Sequence, residues 1–203
     1  SKFRNSKPHP KERASNSEGG STKFSYRIDD DNLIEITGYN GYSCSVKIPG
    51  SINGIPVYSI GESAFVSCIW VTNFTIPNGV KIIGKNAFWG CSSAIEIKIP
   101  NSVTTIKEEA LALCVKLKRI NLPGVTEVGE KAFYMCSGLE FVQFGDDLDY
   151  IGDEAFYGCS NLSNVYFKGE SPEFGKNVFW NTPIIVHYNH ENTPKINEAT
   201  SVP

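Results

Sequence analysis

The residues able to do chemistry in this 203-residue chain are six cysteines, three histidines and several runs of carboxylates. A cysteine acts as nucleophile, metal ligand or disulfide half only with partners at short range. Five of the six, Cys68, Cys91, Cys114, Cys136 and Cys159, recur at intervals of 23, 23, 22 and 23 residues. One fixed register is where a small buried hydrophobe sits, so core filling is the expected role and free thiols the expected state. Cys44 lies outside that register and is also expected to be free. His187 and His190 are three residues apart, yet zinc needs further ligands that the neighbouring sequence does not supply. Asp146, Asp147, Asp149, Asp153 and Glu154 form an acidic cluster that could hold Ca²⁺ or serve as an acid–base pair, and that reads equally as a solvated loop. Asp29, Asp30 and Asp31 read as turn residues. No nucleophile-elbow pattern occurs. The inventory therefore predicts no catalytic residue, no metal and no cofactor.

The cysteine interval belongs to a longer repeat. Four residues before each cysteine stands Ala64, Ala87, Ala110, Ala132 or Ala155, followed by Phe65, Phe88, Leu111, Phe133 or Phe156. Four residues before each Ala stands Ile60, Ile83, Ile106, Val128 or Ile151, mostly followed by Gly. Pro77, Pro100 and Pro123 sit nine residues after three of the cysteines. A sixth, degenerate unit keeps Val178-Phe179 and places Thr182 at the cysteine position. A fixed period of this length marks stacked supersecondary units rather than a mixed globule.

The elements that position everything else follow from the offsets. Apolar residues fall three, six and eight positions after each cysteine, from Val71, Phe74 and Ile76 to Leu162, Val165 and Phe167. The last two of each set alternate like the inward side of a short strand. The string Gly-x-x-Ala-Phe-x-x-Cys puts Ala and Cys at i and i+4, which predicts a short helix. Each unit thus reads as strand, turn, short helix, turn, and the whole as an α/β repeat solenoid. Strands stack about 4.8 Å apart and helices about 8–10 Å apart, so this reading implies a concave strand ladder and a convex helical back. Helical spacing would also hold equivalent sulfurs too far apart for disulfides, whose Cα atoms lie within about 6.8 Å.

Composition agrees with strands: 20 Ile and 14 Val stand against 8 Leu. Phe24–Ile28 and Leu33–Gly38 flank Asp29–Asn32 as a predicted hairpin, and Ile52–Pro56 reads as an inserted turn. Residues 24–58 are the expected N-terminal cap, 59–188 the solenoid, 1–23 a flexible polar leader and 189–203 a tail. The leader carries six Lys/Arg and two Glu; residues 24–203 carry 13 Lys/Arg against 20 Asp/Glu. That acidic body argues against nucleic acid as a partner. No apolar run, that at Leu111–Val115 included, is long enough for membrane insertion.

The string I-G-x-x-A-F-x-x-C-x-x-L-x-x-I-x-I-P resembles the BspA-like leucine-rich repeat, a class of 22–23 residues that favours Ile and Cys. Tyr26–Tyr39 and Ile52–Val57 are similar to that family's N-terminal cap. The resemblance implies a right-handed leucine-rich-repeat coil stack and an extracellular or cell-surface location, with adhesion to matrix, host-cell or bacterial surface proteins. It carries no catalytic motif.

Two faces are candidates for binding. Outward strand positions, five and seven after each cysteine, include Glu96, Lys98, Arg119, Asn121, Phe141, Gln143, Asn164 and Tyr166. Arg and aromatic side chains are the types that concentrate interface energy. A second row, two residues after each Ala, includes Trp89, Tyr134, Tyr157 and Trp180, as padding between coils or as an exposed stripe for a protein or glycan. The sequence therefore predicts a non-enzymatic binding module whose partner is a protein, with a glycan as the other option. The competing readings are a spacer within a larger adhesin and, third, a polysaccharide-active solenoid. The last is disfavoured because Glu96 is the only acid on the outward strand row.

Overall fold

Coil-to-coil hydrogen bonding, rather than helix packing, builds this molecule. The computed structural model describes residues 23–188; the leader up to residue 22, the tail, His9 and His190 lie outside them. A hairpin opens the chain, with β1 (Phe24–Ile28) antiparallel to β2 (Ile34–Tyr39). Asp29 Oδ1 closes its turn by accepting from the amides of Asp31 and Leu33 at 3.1 and 2.9 Å. Next come β3 (Ser45–Lys47), β4 (Ser51–Ile52) and β5 (Ile55–Ile60). The pair β4 and β5 turns on Asn53 and Gly54, both at positive φ, which is the geometry a two-residue hairpin requires.

Each repeat then contributes two strands. The longer ones are β6 (Asn73–Thr75), β8 (Glu96–Lys98), β10 (Arg119–Leu122), β12 (Phe141–Phe144), β14 (Asn164–Phe167) and β16 (Ile185–Tyr188). The shorter ones are β7 (Ile82–Ile83), β9 (Thr105–Ile106), β11 (Glu127–Val128), β13 (Tyr150–Ile151) and β15 (Glu173–Phe174). All stack in parallel on the preceding coil's equivalent, save β10 on β8. The solenoid therefore has a strand wall, a second wall of two-residue strands and a wall of turns. Fifteen inward positions, three, six and eight after the five cysteines, are all buried. Stacked rings run through the core: Phe65 on Phe88 at 5.1 Å, Phe133 on Phe156 at 4.8 Å and Phe156 on Phe179 at 5.4 Å.

The expected convex helices are absent among the described residues; the Gly-x-x-Ala-Phe-x-x-Cys segment is a run of turns. The residue before each Ala and before each Cys has a positive φ, from Ser63 and Ser67 through Glu109 and Leu113 to Asn177 and Asn181, with Gly90 and Gly158 in two of these places. A left-handed residue every fourth position ends any helical turn as it forms. It also swings alternate amides outward. Phe65, Phe88, Leu111, Phe133 and Phe156 each donate to a carbonyl of the next coil at 2.7–2.9 Å.

This wall thus repeats like a strand ladder. Rings stack at 4.8–5.4 Å along it and at 5.2 Å on the strand side, where Phe144 meets Phe167. The spacing mismatch that implied a concave and a convex side does not arise. Equivalent sulfurs are therefore not held apart as helical spacing would hold them, because coils this close fall within disulfide reach. All six thiols are nonetheless free. Those of Cys91, Cys114, Cys136 and Cys159 donate to the carbonyls of Phe65, Phe88, Leu111 and Phe133 in the preceding coil at 3.1–3.4 Å. Burial pushes the Cys91 thiol up to about 12, with the neighbouring Cys68 adding to the shift. Cys44 alone is exposed.

Candidate functional site

The strand wall turns the outward residues of β10, β12, β14 and β16 into one row. Parallel register sets Arg119 beside Phe141, Phe141 beside Asn164, Gln143 beside Tyr166 and Tyr166 beside His187. The Arg119 guanidinium lies 5.4 Å from the Phe141 ring centre, a cation–π contact. Phe141 meets the Tyr166 ring at 5.1 Å, and Tyr166 stacks on His187 at 4.1 Å with planes 6° apart. Asn164 Nδ2 donates to Ser163 Oγ at 2.9 Å, which leaves its Oδ1 to accept from His187 Nε2 at 2.9 Å. The row therefore runs Arg119, Phe141, Tyr166, His187, held by side-chain contacts at every step.

His187 was out of reach of the sequence offsets. Counting from Thr182 puts it at the five-residue place, whereas the register sets it against Tyr166, seven after Cys159. The degenerate last unit is shortened by two residues there. The alternation of Ile185, Val186, His187 and Tyr188 was the one signal that could have shown the shift.

Glu96, Lys98, Arg119 and Asn121 gather midway along the wall, where that row begins. Together with Asn73 and Lys118 they line a hollow of about 590 Å³, and Ile95 forms an exposed apolar part of it. Glu96 pairs with Lys98 at 3.5 Å, and Lys118 with Glu140 at 3.1 Å. Arg119 makes no ion pair among the described residues, so its donors remain available beyond its contact with Phe141.

This hollow lies over a break in the wall. At the steps into β8, β12 and β14, paired amides reach one carbonyl of the previous coil, as Ile95 and Glu96 do to Thr72 at 2.8 and 3.3 Å and Glu140 and Phe141 to Lys118 at 2.8 and 3.2 Å; at the step into β16 the Ile185 amide reaches Ser163 at 2.8 Å. The amides of Lys118 and Arg119 have no such acceptor among the described residues, and β8 and β10 belong to separate sheets. The other two walls continue through the same step. There β7 pairs with β9, and Phe88 and Gly90 donate to Ala110 and Ala112 at 2.7 and 2.9 Å. Only the strand wall opens.

The alternative aromatic row lies on the turn wall and is interrupted by the buried Ala112. Tyr134 and Tyr157 stack on one another at 5.2 Å, while Trp89 is half-buried and Trp180 exposed. A further exposed pair, Tyr42 and Trp70, sits where the cap meets the first repeat, with ring centres 6.1 Å apart. In the acidic cluster, Asp153 Oδ1 accepts from the Lys176 amide at 2.8 Å and Glu154 faces Lys131 at 3.6 Å. Among the described residues, no three His, Cys, Asp or Glu side chains converge as a metal site would require.

A three-walled stack with an inward Ile/Leu/Phe register and an outward residue row is a leucine-rich-repeat solenoid. The family model for the BspA type leucine rich repeat region matches residues 58–186 in six copies, and the chain belongs to that family. Among solved structures, it is 29% identical to a leucine rich repeat protein of T. pallidum, covering 81% of this chain and 89% of that one with a TM-score of 0.63. A leucine rich cell surface protein from Faecalibacterium prausnitzii A2-165 is 25% identical over 95% of this chain and 57% of its own, with a TM-score of 0.68. A leucine-rich repeat protein from Bacteroides capillosus ATCC 29799 is 30% identical over 60% of this chain and 94% of its own, with a TM-score of 0.56. The search of curated proteins returned no match.

Proposed function

We propose that this chain is a non-enzymatic binding module of a bacterial surface protein, and that it recognises a protein partner through its strand wall. The observation that carries this reading is the Arg119, Phe141, Tyr166, His187 row on the strand wall. Aromatic and Arg side chains, pre-ordered by mutual stacking, lose little freedom on binding. The same stacking favours protein over glycan. Sugars bind on ring faces, and the Tyr166 and His187 faces are spent on each other while Arg119 covers Phe141. What the row offers outward is ring edges, a phenol hydroxyl, an amide and a guanidinium. Tyr134 and Tyr157 are likewise stacked on each other, which supports padding as the role of the turn-wall row. The surface location rests on the family and on the solved F. prausnitzii cell surface protein.

The test pairs a panel of matrix and cell-surface proteins with a glycan array, using wild type, the double variant Phe141→Ala/Tyr166→Ala, and Trp89→Ala. A protein ligand lost in the double variant and kept by Trp89→Ala is the expected result. Loss only with Trp89→Ala moves the site to the turn wall. A chain that binds nothing on either panel is a spacer.

A further inference from the structure

The break in the strand wall is a feature that stacking does not need. The repeat interval across it is the same 23 residues as at the step before, so no insertion forces the coils apart. Two of three walls stay hydrogen-bonded through it. What it creates is local and polar: adjacent backbone amides of Lys118 and Arg119 without a backbone acceptor among the described residues, in two residues that line the hollow together with Lys98 and Asn121. Three cations and one acid surround that hollow, in a body whose Asp and Glu outnumber its Lys and Arg by 20 to 13. Two neighbouring N–H groups beside a guanidinium with no ion pair match the geometry of a carboxylate, whose two oxygens accept in a fork. Ile95 supplies an apolar surface at the same place.

We infer that the seam between β8 and β10 is a carboxylate-accepting slot for an acidic segment of the partner protein, seated on the amides of Lys118 and Arg119 and the Arg119 side chain. The inference rests on the strand-wall reading and gives that partner its chemistry: an Asp or Glu side chain next to an apolar residue, approaching the point midway along the wall where the aromatic row begins. A polypeptide is favoured over a sulfated glycan because the slot offers two adjacent amides and one free guanidinium, enough for a single carboxylate. A polyanion needs a long basic track. The slot's attraction weakens with salt, as a partly exposed charge contact does.

The test is an amide NMR titration of the ¹⁵N-labelled chain with acetyl-Glu-Phe-Glu-Phe-Glu-amide, its Gln-for-Glu counterpart and a heparin tetrasaccharide. The Glu peptide is expected to shift the Lys118 and Arg119 amide signals, with affinity falling about 10-fold or more in Arg119→Ala, as removal of a charge-assisted bond requires. The Gln peptide is expected to bind at least about 10-fold more weakly. Equal shifts with the Gln peptide, shifts with heparin alone, or no shift at Lys118 and Arg119 would overturn the inference. Signals moving at Phe141 and Tyr166 alone would overturn the slot and leave the strand-wall reading standing. A partner found on the panels that is lost with Arg119→Ala but kept by Phe141→Ala/Tyr166→Ala would leave the slot standing and overturn the aromatic row as the carrier of binding.

Discussion

Replacing Gly90 by Ala distinguishes a wall of turns from a wall of helices by the sign of its effect. Gly90 precedes Cys91 and has φ +69°, in the left-handed region. A Cβ built there meets nothing closer than Ser67 Oγ at 3.4 Å, so the effect is conformational rather than steric crowding. Holding an L-residue in that region costs about 1–2 kcal/mol. Ala also restricts the unfolded chain, which offsets about 0.4–1 kcal/mol. The net expectation is a loss of about 1 kcal/mol, or a fall in melting temperature of about 2–4 °C for a chain of this size. In a helix interior the same change would stabilise by about 0.5–1 kcal/mol. Ser67, the equivalent residue one coil earlier, has φ 54° and is exposed. Ser67→Gly should therefore hold or raise stability, where a helix would lose about 0.5 kcal/mol. Urea unfolding followed by circular dichroism measures both, with an unchanged m-value showing that the unfolded reference is the same. A Gly90→Ala variant more stable than wild type, together with a weakened Ser67→Gly, refutes the turn-wall account.

Two further outcomes follow from the core. Phe133 is fully buried and stacks on Phe156 at 4.8 Å with planes 4° apart, so Phe133→Ala should cost about 3–5 kcal/mol in chemical denaturation. Because coils touch only their neighbours, that variant should also unfold in more than one step, visible as fluorescence and circular dichroism curves that no longer coincide. The thiols predict alkaline sensitivity. Cys91 is raised to about 12 in the folded chain against an unfolded value near 9, so the folded state retains a proton that the unfolded state releases. Its contribution is present below about pH 9 and is lost toward pH 12, at about 1.4 kcal/mol per pH unit. Urea midpoints measured from pH 8 to 11 should fall, and a thiol reagent at pH 8 should label Cys44 alone until urea opens the coils; rapid native labelling of several cysteines would contradict the packing.

The chain by itself determined which residues face inward. A fixed offset of three, six and eight from each cysteine is a backbone periodicity, and all fifteen such positions are buried: the last two of each set by alternation along the strand, the first in the turn that leads into it. It also determined the repeat unit, the hairpin over β1 and β2, and the outward places of Arg119, Phe141 and Tyr166. Three things were decided only by stacking. Ala and Cys at i and i+4 fit a helical turn and a chain of β-turns equally well. The choice fell to turns because left-handed residues before each of them free alternate amides to bond the next coil, and no local residue type announces this: Ser, Asn, Glu, Leu, Lys, Met and Gly all occupy those places. His187 joined the aromatic row because register with β14, not distance from Thr182, sets its place. The seam between β8 and β10 leaves no trace in a repeat interval that stays at 23 residues. Periodicity reports what each coil does with its own side chains, while a gap between coils exists only in the hydrogen bonds that two coils form, or do not form, with each other.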